Sequence, residues 1–88
     1  MNQTERLIKV TAEFYKARDT MKVVYPDRYT ERTTNIAAGI NEAVSKTGQT
    51  VMQVAVTFLK QQKNNPMTMI WIMAAVADMI EPDDMNQP

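Results

Sequence analysis

The stretch Asn65-Pro66-Met67-Thr68-Met69-Ile70-Trp71-Ile72-Met73-Ala74-Ala75-Val76-Ala77-Asp78-Met79-Ile80 decides how this chain folds. Asparagine caps the free N–H groups of a helix start, and proline at the first helical position sacrifices no hydrogen bond. From Met67 onward only Thr68 and Asp78 are polar. A helix that is apolar on nearly every face is normally enclosed on all sides. As a helix, Met67 to Ile80 spans about 21 Å, short of the ~30 Å hydrocarbon layer of a membrane. The segment therefore reads as a buried or interface helix, ended by Pro82. Beyond it, Glu81-Pro82-Asp83-Asp84-Met85-Asn86-Gln87-Pro88 reads as a flexible acidic tail over 82–88, leaving residues 1–81 as a single helical domain.

Upstream, Val51 to Lys63 is ambiguous. Met52, Val54, Val56 and Phe58 alternate as in a half-buried strand, while Val51, Ala55 and Phe58 fit one helical face. A lone strand would have nothing to pair with, and Lys60-Gln61-Gln62-Lys63 favours a helix, so helix is the reading adopted. Before it, Lys46-Thr47-Gly48-Gln49-Thr50 is a break, with Gly48 a natural left-handed stop.

A second helix carries a thinner stripe of Tyr29, Ile36, Ile40 and Ala43 or Val44, interrupted by Thr33 and Thr34, with Asp27 as its cap. Gly39 costs roughly 1 kcal/mol in a helix interior relative to alanine, which suggests a close approach of two backbones. The first helix is the most regular. Leu7, Val10, Phe14, Ala17, Met21 and Val24 keep to one stripe, with Thr4 as N-cap and Pro26 as the stop.

The chain has 88 residues, no cysteine and no histidine. Disulfides and the usual transition-metal ligand sets are thereby excluded, and no cofactor is implied. A core this small often needs a partner subunit. Three other short helices cannot hide all of the 67–80 segment, so an all-α bundle of three to four helices is expected, assembled as a homodimer or higher oligomer. Met67, Met69, Ile70, Trp71 and Met73, with Asp78 and Glu81 at the acidic end, are the expected protein interface, since methionine adapts to partners and tryptophan is enriched at hot spots. The simpler reading has the methionines filling core gaps.

Ten basic and ten acidic residues cancel, but unevenly. Residues 1–63 hold all ten cations and six acids, a balance of +4, and residues 64–88 hold four acids and no cation, a balance of −4. Asp78 and Glu81 fall at the unfavourable negative end of their helix. Pairing with Arg6, Lys9 or Lys16, solvation, or a basic surface on another chain would each compensate them.

Catalysis has little to work with: Ser45 is the only serine, and Gly39 and Gly48 are the only glycines, so no phosphate-cradling loop exists. No enzymatic activity is expected. Tyr25, Arg28, Tyr29 and Arg32 can share one side near a helix N-terminus, where aromatic faces and guanidinium groups could hold a nucleotide or nucleic acid. The simpler reading is a helix corner with Tyr29 in the core and both arginines paired to Asp27 and Glu31. A helix-turn-helix over Val44 to Lys60 is disfavoured, because Thr50-Val51-Met52-Gln53-Val54 offers few polar forks to base edges.

Small, cysteine-free, methionine-rich chains of this kind resemble in style the accessory and inhibitor proteins of bacteriophages. The resemblance implies a cytoplasmic, non-enzymatic protein that binds and modulates another macromolecule. A nucleotide or nucleic-acid binder is the alternative, and a structural assembly subunit the third. The start of the sequence lacks the apolar core of a secretory signal, in keeping with a cytoplasmic location.

Overall fold

Four helices account for most of the described residues: α1 (Gln3–Val24), α2 (Tyr29–Thr47), α3 (Val51–Gln61) and α4 (Pro66–Ile80). This computed structural model describes residues 3–80, with side chains from residue 12 onward. Glu81, the acidic tail and the side chains of Leu7 and Val10 lie outside the described residues. No strand occurs among those described, so the all-α bundle read from the sequence is the architecture found. None of the described helices is long and apolar enough to cross a membrane.

Local chemistry sets each boundary. Pro26 stops α1, and the chain turns where the Arg28 N–H donates to the Tyr25 carbonyl at 3.1 Å. The cap of α2 is Arg28, not Asp27, and no side chain accepts there. Arg28 already lies near helical angles (φ −110°, ψ −9°), whereas a capping side chain needs the extended conformation that turns it toward the free N–H groups. At the far end Gly48 takes φ 73° and donates its N–H to the Val44 carbonyl at 2.9 Å. That angle demands glycine.

Residues 51–61 are helical because of a feature the alternation of apolar residues concealed. The Gln53 N–H donates to Thr50 Oγ1 at 3.1 Å, and the Thr50 N–H donates to Gln53 Oε1 at 2.9 Å. This reciprocal box satisfies two otherwise orphaned donors. The helix ends at Gln61, two residues before the expected Lys63. Asn65 then caps α4 as expected, its Oδ1 accepting the Thr68 N–H at 3.3 Å.

The last helix is the hub. It packs against all three others, most extensively against α1, while α2 also packs against α3. One buried cluster joins Phe14, Ile40, Val54, Ala55, Ile72, Val76 and Ala77, and a second joins Met21, Tyr29, Trp71 and Ala74. Ile36 packs against both. Thr33 does not interrupt the α2 stripe. It is buried within it, because its hydroxyl donates to the Tyr29 carbonyl at 2.8 Å and so leaves no unpaired polar atom.

Two further expectations are corrected. Val24, the last position of the α1 stripe, is 56% exposed, and Tyr25 packs against the second cluster instead. The other helices hide part of α4: Trp71, Ile72 and every residue from Ala74 to Ala77 are buried. Alanine supplies the reason, since three small side chains let the neighbouring helices approach closely while adding little area to cover. Only Met67 and Ile70 remain as exposed large apolar residues of α4, with Met69 and Met73 half-buried.

Gly39 is the other correction. A Cβ placed there would meet nothing within 4 Å, so no second backbone approaches it. With neither a positive φ nor a close contact to justify glycine, Gly39→Ala is expected to stabilise the fold by about 0.5–1 kcal/mol. Thermal unfolding followed by circular dichroism checks this. A fall in Tm would show that the helix is not free at that position.

Candidate functional site

The α1–α2 corner and the first turns of α4 meet, which brings parts of the two sequence-derived surfaces together. Tyr25, Arg28, Arg32, Met67 and Trp71 line one hollow of about 130 Å³. Beside it, Arg28, Glu31, Arg32 and Asn35 border a wider polar depression. The Arg32 guanidinium lies 5.8 Å from the Trp71 ring centre, within cation–π range. The Tyr25 and Tyr29 rings stand 5.7 Å and 6.1 Å from Trp71, tilted by 44° and 43°.

Arg28 and Arg32 were as readily expected to pair with Asp27 and Glu31. Among the described residues no carboxylate lies within ion-pair distance of either guanidinium. The helical bond from the Arg32 N–H to the Arg28 carbonyl, 3.1 Å, holds the two at an i,i+4 spacing. Like charges at that spacing repel by roughly 0.2–0.5 kcal/mol on an exposed face. Glu31 is the single acid bordering the depression, so its local charge stays positive.

Tyr29 leaves the group. Its ring is buried in the second cluster, and its hydroxyl donates to Asp78 Oδ2 at 2.8 Å, with Lys22 Nζ 5.4 Å from the ring centre. Asp78 therefore finds a hydroxyl donor at the negative end of α4; of the α1 cations named for it, the side chains of Arg6 and Lys9 lie outside the described residues, and Lys16 makes no ion pair with it. Burial raises the Tyr29 phenol well above its ordinary value, and the hydrogen bond and negative charge of Asp78 raise it further. The unfolded chain thus loses this proton first as the pH climbs. Below pH ~10 the stabilisation from Tyr29 is complete, and it is lost as the pH rises beyond that toward the folded-state pKa. Tyr29→Phe is expected to cost about 1 kcal/mol at pH 7 and to flatten the alkaline limb of the stability curve. Urea titrations of both proteins between pH 8 and 11 test it; parallel curves would refute the linkage.

No protein-family model, curated protein or solved structure matches the chain. Trp71 is only 5% exposed and is flanked by Tyr25, Tyr29 and Arg32, so its faces are occupied from within. A nucleobase would have to displace one of these neighbours to stack on it. What the corner does offer is two guanidinium groups beside the exposed Met67, 48% accessible, with Ile70, 36% accessible, three residues further along α4. Asp78 stands eleven residues along α4 from Met67, about 16 Å away, and does not join them. A second hollow, between α2, α3 and α4, was not anticipated; its one signal in the sequence was the otherwise unmotivated Gly39.

Proposed function

We propose that this is a non-enzymatic interaction protein, of the accessory or inhibitor kind, that engages an acidic surface carrying an apolar side chain on another protein. One observation carries the reading: Arg28 and Arg32, without acidic partners among the described residues, share one hollow with the exposed Met67. A carboxylate from a partner would relieve the mutual repulsion of the arginines, and an apolar side chain would cover the exposed start of α4. Occupation of the Trp71 faces favours this over nucleotide binding. A chain without cysteine suits a reducing compartment such as the cytoplasm, where we place it.

Affinity capture from the native host, with and without nuclease, followed by titration of the captured protein, tests the proposal. The double substitution Arg28→Ala/Arg32→Ala is expected to weaken binding at least ~10-fold and to flatten its salt dependence. Met67→Asp, at an exposed position, is expected to weaken it comparably while leaving the melting curve nearly unchanged. Capture that disappears with nuclease would support the nucleic-acid alternative instead. Self-association of this chain through Met67 and Ile70 is the competing occupancy, and sedimentation at several concentrations detects it.

A further inference from the structure

We infer that the hollow between α2, α3 and α4 is a binding site for a small, uncharged, mostly apolar ligand, and that Gly39 keeps its wall open. Ile36, Gly39, Phe58 and Ile72 form the apolar part of a hollow of about 290 Å³, and Gln61, Gln62 and Thr68 supply its polar groups. That volume lies at the lower end of the range for small-molecule sites, roughly 300–1,000 Å³, and such sites pair an apolar lining with a few polar groups. It is too small for a helix of another chain, which is about 10–12 Å across.

The chemistry of the lining restricts the occupant. Among the described residues no charged side chain borders the hollow, so a charged ligand would lose hydration without gaining a counter-ion. Among the described residues, the carboxamides of Gln61 and Gln62 and the Thr68 hydroxyl make no hydrogen bond within the protein. They remain able to donate to, and accept from, a ligand that carries one polar group on an apolar frame.

Gly39 is an exposed residue at the rim of this hollow. It occupies the interior of α2, adopts no positive φ and leaves open space where a Cβ would stand. Neither backbone geometry nor packing calls for glycine there, yet glycine weakens a helix. An empty place in the wall of an apolar hollow gives it a use. A leucine introduced at 39 would lean toward the N-terminus of α2, over Ile36, and narrow the hollow.

Indole is a suitable probe, being uncharged and planar with a single N–H donor. Titration into isotope-labelled protein, followed by NMR, is expected to give saturable shifts confined to Ile36, Phe58, Gln62, Thr68 and Ile72, with a Kd on the order of 1 mM or tighter. Gly39→Leu is expected to raise that Kd at least ~10-fold while keeping or raising Tm, because the fill-in occupies open space in a helix that gains propensity. Thr68→Leu narrows the hollow from the α4 side and provides a second variant if the first folds poorly. Absence of saturation would overturn the inference. So would shifts that spread equally to Met67, Ile70 and Val56, or an affinity unchanged in both variants. A concentration-dependent mass that Gly39→Leu abolishes would assign the hollow to a second copy of the chain and overturn it too.

Discussion

Trp71→Ala is expected to destabilise the protein by roughly 3–5 kcal/mol, the range for removing a large aromatic side chain from a core. Trp71 is buried in the cluster with Met21, Tyr29 and Ala74, and it stands between the Tyr25 and Tyr29 rings with Arg32 above it. Alanine forfeits the transfer free energy of the indole and leaves a cavity that three rigid helices cannot fully close. Aromatic and cation–π contacts, each worth about 0.5–1.5 kcal/mol, are lost with it. At about 0.05–0.15 kcal/mol per residue, the whole stability of a domain this size is about 4–13 kcal/mol, so that loss takes a large share of it. Urea denaturation followed by circular dichroism should show the midpoint falling steeply. A loss under ~1 kcal/mol, together with a reduced oligomer mass, would instead return Trp71 to an intersubunit role.

Ile40→Ala is expected to cost about 2–5 kcal/mol by the same mechanism in the other cluster. Ile40 is completely buried and is the only fully enclosed large side chain of α2, set among Phe14, Val54, Ile72 and Val76. The two clusters share Ile36 as a neighbour, so the substitutions are not expected to be strictly additive. Combined, they should leave no cooperative thermal transition. Survival of a sharp transition in the double variant would mean that the clusters do not form one cooperative core.

Much of the fold was legible because its signals are local. Asn65-Pro66 and Gly48 each mark a boundary through chemistry confined to a few residues, and both stand where read. Thr50-Val51-Met52-Gln53 was equally legible as a capping box and would have removed the helix–strand ambiguity that follows it. Asp27 misled because capping preference takes no account of the turn that Pro26 begins, which carries Arg28 to the cap position. Partial coverage of α4 was legible, but not which of its residues are covered. Counting apolar residues treats Ala74, Ala75 and Ala77 as surface that needs hiding, although their smallness is what allows the other helices to hide it.

The site was less legible, because its decisive relations are long-range. Tyr29 and Asp78 are 49 residues apart, and nothing near either announces the hydrogen bond. That bond takes Tyr29 out of a group in which helical spacing had placed it. Likewise Arg28 and Arg32 sit close in sequence to Asp27 and Glu31, yet Arg32 lies over Trp71, a residue of another helix. Spacing along one helix tells which side chains can share a face. It does not tell which face the rest of the protein will claim.

The central place of α4 also governs how the chain comes off the ribosome. Because the other three helices lean chiefly on the fourth, and α1 above all, a nascent chain that has reached only Asn65 has no common support on which to assemble. Its oily faces stay open to chaperones until the final fifteen-residue helix emerges, so maturation is withheld until translation of this region is finished.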